Sequence, residues 1–135
     1  MEKPKILVID GDKHFRRQII WALEEDFQLL EAKDRDTAIQ FLEKEKRPDV
    51  ILMELFLPPG PDYLDEGFTV LNKFKENVPE VRVIVVTTID TRDIVDKTRE
   101  LGADGYIIKP FSVQHLKNSI KKVILKGVER RVPLL

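Results

Sequence analysis

Cysteine is absent from all 135 residues, which excludes disulfides, thiolate metal sites and cysteine nucleophiles together. No apolar run approaches the roughly 18 residues that a membrane-spanning helix needs, and none resembles the apolar core of a secretory leader. An excess of one charge is lacking too, since 23 basic residues face 24 acidic ones for a net of −1. Nucleic-acid binders usually carry a basic surplus, so this balance gives no electrostatic warrant for such a partner. The chain also has no internal repeat and no low-complexity stretch. These absences leave a cytoplasmic, non-membrane protein as the expectation. At this length it forms one domain able to bury a two-layer core.

What is present alternates. Apolar runs of four to six residues are separated by helical patterns of ten to fifteen, the signature of βαβ units around a parallel sheet. Strands are expected near 5–10, 27–32, 49–54, 81–87 and 104–108, and helices near 13–26, 35–46, 66–77, 90–101 and 112–126. The runs 6–9, 50–53 and 83–86 are apolar on consecutive residues, as in strands covered by helices on both faces. In the first helix Phe15, Ile19, Ala22 and Leu23 share a stripe, from which Trp21 points away. In the last, Val113, Leu116, Ile120, Val123 and Ile124 form the expected buried face, with Ser112 as N-cap. Gly102 stands where a left-handed residue would end the fourth helix. The fold class is therefore α/β, a flavodoxin-like doubly wound sheet of five parallel strands in order 2-1-3-4-5 with five helices. Residues 1–126 are read as the domain and 127–135 as a short tail.

In such sheets, functional groups gather beyond the carboxyl ends of the strands. Asp10, Glu54, Thr87 and Lys109 all fall there. The runs that deliver them are Ile6-Leu7-Val8-Ile9-Asp10, Asp49-Val50-Ile51-Leu52-Met53-Glu54, Val83-Ile84-Val85-Val86-Thr87 and Gly105-Tyr106-Ile107-Ile108-Lys109-Pro110-Phe111. Over residues 5–125 this order resembles the receiver domain of two-component response regulators, which accepts phosphate from a histidine kinase onto an aspartate.

The resemblance implies a role for each residue. Glu54 stands at the phosphoacceptor position, where the family has aspartate. Asp10 matches the first of two adjacent acids after the first strand, but Gly11 replaces the second, the direct magnesium ligand. Asp12 follows, one residue out of place. The family's main-chain carbonyl ligand falls at Phe56. Lys109, ahead of a candidate cis bond to Pro110, matches the lysine that contacts the phosphoryl group. Thr87 matches the hydroxyl that follows the phosphate, and Tyr106 the aromatic side chain that swings inward with it. Loop 58–67, which begins Pro58-Pro59-Gly60-Pro61, is longer than the family's by about five residues.

Glu54 adds a methylene and moves the reactive oxygen by roughly 1 Å, a displacement that can cost on the order of a hundredfold in rate. With the direct metal ligand also missing, the expectation is a degenerate, phosphorylation-independent receiver. It is not an enzyme and needs no cofactor. Weak magnesium binding through Asp10, Asp12, Glu54 and the Phe56 carbonyl stays open, as does non-canonical phosphorylation. Glu54 itself is a mimic of the phosphorylated state, a relic, or a ligand in an altered cation site. The expected partners are proteins: a kinase, another regulator, an output protein, or a second copy through the fourth helix, fifth strand and fifth helix. His14 and His115 are read as solvated.

Two rivals come from other classes. Asp10-Gly11-Asp12, with Thr87 and Lys109, also fits the opening motifs of a haloacid-dehalogenase-type phosphatase. That family needs an acidic pair after the lysine, and only Glu129 follows here. A flavin or nucleotide carrier on the same fold lacks a Gly-rich loop after the first strand, and Asp10 and Asp12 would repel a phosphate there.

Overall fold

The computed structural model describes residues 2–58 and 63–131, apart from the side-chain surroundings of 63–64 and 127–131. Five parallel strands, β1 Lys5–Ile9, β2 Gln28–Ala32, β3 Val50–Met53, β4 Arg82–Thr87 and β5 Gly105–Ile108, alternate with five helices. The helices are α1 Lys13–Leu23, α2 Arg35–Ile39, α3 Tyr63–Asn77, α4 Arg92–Glu100 and α5 Val113–Arg131. The sheet runs β2-β1-β3-β4-β5, the order expected from the sequence.

The strand period of two divides the core into two layers. Leu7, Ile9, Ile51, Met53, Val83 and Val85 point to one face and pack with Phe68, Leu71 and Phe74 of α3. Ile6, Val8, Val50, Leu52, Ile84 and Val86 point to the other, against Ile19 and Leu23 of α1 and Leu116, Ile120 and Val123 of α5. Consecutive apolar residues are required because both faces are covered. Each large side chain fully buried this way contributes about 1.5–3 kcal/mol.

Helix ends follow the local chemistry. The Asp12 carboxylate caps α1 by accepting from the His14 and Phe15 N–H groups, Asp34 and Thr37 form a capping box on α2, and Ser112 Oγ accepts from the His115 N–H at 3.0 Å. Gly102, at φ 104°, ends α4 in the left-handed region. Trp21 is exposed, as its place off the α1 stripe implies.

Three expectations need correction. The helix expected over 35–46 is α-helical only to Ile39 and then tightens into 3-10 turns at Gln40–Leu42 and Lys44–Lys46. Glu43 to Lys46 are all charged, so no apolar side chain anchors a further α-turn. The stretch expected as loop 58–67 is helical from Tyr63 onward, and residues 59–62 lie outside the described residues. Val113, expected in the buried face of α5, is 48% exposed, while Leu116, Ile120 and Val123 carry that face.

Gly67 shows why α3 can lie so close to the exit of β3. A Cβ there would stand 2.1 Å from the Leu55 carbonyl oxygen. Only glycine admits that approach.

Candidate functional site

Because all strands run the same way, the residues following β1, β3, β4 and β5 meet at one end of the sheet. Asp10 and Glu54 are both buried there. The Asp10 N–H donates to the Ala32 carbonyl and the Glu54 N–H to the Ile9 carbonyl, which continues the ladder and fixes both Cα positions. Lys109 is tied in the same way, its N–H donating to the Thr87 carbonyl at 2.8 Å. The Lys109–Pro110 bond is cis.

Lys109 is the centre of the site. Its Nζ donates to Asp10 Oδ2 at 2.8 Å and to Glu54 Oε1 at 3.2 Å. The ammonium also lies 4.0 Å from the centroid of the Phe15 ring, a cation–π contact. Phe111 meets that ring edge-on at 6.2 Å. Burial works against the Lys109 charge, yet the hydrogen bond and charge of Asp10, and then those of Glu54, hold its pKa above the ordinary lysine value.

The remaining carboxylate oxygens are engaged by the main chain. Asp10 Oδ1 accepts from the Asp12 N–H at 2.9 Å. Glu54 Oε2 accepts from the Leu55 N–H at 2.7 Å and the Phe56 N–H at 3.3 Å. All four carboxylate oxygens of the pocket therefore have a protein donor.

Thr87 and Tyr106 join elsewhere. Thr87 is fully buried, and its Oγ1 accepts from the Ile89 N–H at 3.5 Å. The Tyr106 hydroxyl donates to the Ile89 carbonyl at 2.8 Å. The two side chains expected to follow the pocket's charge thus meet at the main chain of Ile89, between β4 and α4. Burial first, then the charges of Glu54 and Asp90, push the Tyr106 hydroxyl up to about 12.

The pocket residues do not fit a magnesium ion. Such an ion prefers oxygen ligands in near-octahedral array, whereas Asp10 and Glu54 both lie on Lys109. A Cβ on Gly11 would stand 2.9 Å from Pro58 Cδ and 3.1 Å from Pro58 Cγ, so the proline ring occupies the space an acidic side chain at that position would enter. Asp12, expected as a possible replacement ligand, is committed to capping α1. The same commitment removes it from the general-acid role of the phosphatase reading. Among the described residues no group of three or more His, Asp or Glu side chains is placed to hold a metal.

Sequence reasoning put Phe15 in the core stripe and missed its place over Lys109. It also missed Pro58 as a cover on Gly11, and Arg16, whose Nη1 donates to the Asp10 carbonyl at 2.6 Å while its Nε pairs with Glu31 at 3.1 Å. Phe15 carried a signal, since the first turn after an Asp12 cap must face the strand ends. Pro58 carried none.

Comparison with known proteins is consistent across sequence and structure. The sequence model of the response regulator receiver domain matches residues 6–121. The chemotaxis protein CheY of Halobacterium salinarum is 26% identical over 120 residues, covering 89% of this chain and 96% of that protein. The sporulation initiation phosphotransferase F of Bacillus subtilis is 29% identical over 125 residues, covering 92% and 96%. The crystal structure of a CheY-like response regulator receiver domain protein from Methanospirillum hungatei superposes with a TM-score of 0.86, covering 96% and 99% of the two chains. At 23% identity that likeness speaks for the fold alone.

Proposed function

Since this chain belongs to the response regulator receiver family, we propose that it is a receiver whose phosphorylation pocket is closed by its own residues. It acts through protein contacts in a two-component system rather than by accepting phosphate. One observation carries the reading: every carboxylate oxygen of Asp10 and Glu54 is already held by Lys109 or a main-chain N–H. A nucleophilic carboxylate must be able to turn an oxygen toward phosphorus and needs a cation to offset the incoming charge, whereas these bonds hold both carboxylates in one orientation. Here Lys109 is neutralised from within, and Pro58 crowds the position that would hold the missing acid.

The partner surface that fits is the face of α4, β5 and α5. Tyr106 and Ile89 link the pocket's end of β4 to that face, and it presents Ile108 and Val113 with 39% and 48% exposure. The partner class is a kinase, another regulator, an output protein or a second copy of the chain.

Treatment of the chain with a small phosphodonor and magnesium, followed by intact-mass measurement, tests the reading. The mass should not change. An acid-labile gain of one phosphoryl group mapped to Glu54, Asp10 or Asp12 would sink it.

A further inference from the structure

At the opposite end of the sheet, about 15 Å away along strands of five residues, lies a half-open cavity of 520 Å³. This volume lies within the range of small-molecule sites. Val78, Val81, Pro48 and Ile124 give it an apolar floor, and the first three are buried. Two arginines also line it, Arg47 and Arg82.

The charges in this region divide by depth. Arg82 is buried, 7% exposed, and shares a single counterion: Asp104 pairs with Arg82 Nη1 at 3.3 Å and with Lys75 at 2.8 Å. One carboxylate therefore serves a buried and a half-buried cation. Arg82 Nε is buried without any hydrogen-bond partner. Arg47 is half-buried, donates through Nε to the Leu42 carbonyl at 3.0 Å, and has no ion pair among the described residues. The acids of the lining, Glu2, Asp49 and Glu80, are exposed. Solvent and salt screen exposed charges, while poorly solvated ones retain their field. The interior of the cavity is therefore cationic although its rim is mixed.

We propose that this cavity binds a small amphiphilic anion, a carboxylate or phosphate monoester on an apolar body. The headgroup engages the guanidinium groups of Arg47 and Arg82, and the body lies on Val78, Val81 and Ile124. Ile124 belongs to α5, so an occupant touches the helix that also forms one edge of the proposed partner face. The site is independent of the pocket of Asp10, Glu54 and Lys109 and stands or falls apart from the reading given for it.

The test titrates the full chain with sodium octanoate and octyl phosphate below their micelle-forming concentrations, following backbone amides by NMR. 1-Octanol and inorganic phosphate serve as probes lacking the head or the body. The expected result is saturable shifts confined to residues 2–5, 47–50, 78–82 and 124 with one or both amphiphiles, and weaker or no binding of either half-probe. Arg47→Gln, a partly exposed and well-tolerated change, should weaken binding about fivefold or more through loss of a charge-assisted hydrogen bond. Arg82→Gln should do the same if it folds. Absence of saturable shifts overturns the proposal. So does octanol binding as tightly as octanoate, or Arg47→Gln binding as tightly as the parent.

Discussion

Under the function proposed, one methylene separates Glu54 from the aspartate that the family resemblance implies, and the longer side chain turns its carboxylate back onto the Leu55 and Phe56 N–H groups. The group is then held in place by its own backbone as well as by Lys109. This alters what repair of the site requires. Gly11→Asp with Glu54→Asp supplies the residues that the resemblance implies but drives a side chain into Pro58. Overpacking of this kind costs about 1–3 kcal/mol. The double variant should melt lower than the parent and gain little magnesium affinity by calorimetry. Adding Pro58→Ala should recover stability and raise that affinity. Tight magnesium binding by the double variant alone would show that Pro58 yields easily.

Protonation at the pocket has a definite sign. Lys109 and Tyr106 both hold their protons more tightly in the fold than in the open chain. Their stabilising contribution is complete below the unfolded values, about 10 for each type, and is lost as pH rises through the folded ones. Thermal stability should therefore fall above about pH 10, and the fall should be shallower in Lys109→Met. The Tyr106 phenol should ionise at about 12, read as the phenolate absorbance of the parent minus that of Tyr106→Phe. Ionisation of Tyr106 near its ordinary value would mean its hydroxyl is not buried near the charges of Glu54 and Asp90.

Among the elements, α3 depends most on one small residue. A methyl at Gly67 must displace either the helix or the backbone at Leu55, so Gly67→Ala should lower stability by about 3 kcal/mol, measured by denaturant unfolding. A neutral effect would mean that α3 stands further from β3. Sequence legibility also sorts by element. β1, β3 and β4 were plain because burial on both faces leaves consecutive apolar residues along their middles. The break in α2 was not, since Phe41 and Leu42 continue a helical pattern while the charged residues after them fail to anchor it. Val113 shares the α5 stripe by spacing, but residues 113–115 are all exposed and burial of that helix begins at Leu116.

For the molecule as a whole, the site was legible in its members and not in its wiring. Asp10, Glu54 and Lys109 could be brought together, and Thr87 placed at the same end, from strand order alone, because a parallel sheet puts every carboxyl end on one side. That Pro58 covers Gly11, or that Thr87 and Tyr106 meet at Ile89, depends on tertiary contacts no local pattern encodes. The wiring predicts a global effect. Glu54→Gln keeps the shape and the acceptor for the main-chain donors but removes the charge facing Lys109. An ion pair partly shielded from water is worth on the order of 1 kcal/mol, enough to shift a two-state balance several-fold. Affinity for the chain's partner, or for itself, should fall several-fold in Glu54→Gln with little change in melting temperature. Equal affinity would make Glu54 a packing residue.

An acyl phosphate is a perishable mark: it hydrolyses, and its lifetime tells a cell how recent a stimulus was. The carboxylate of Glu54, bound to Lys109 and to the two amides that follow it, does not expire. Under the function proposed, this receiver carries no clock. The strength of its message is set by how many copies are made and destroyed, so its dynamics belong to synthesis and proteolysis rather than to a kinase and its opposing phosphatase.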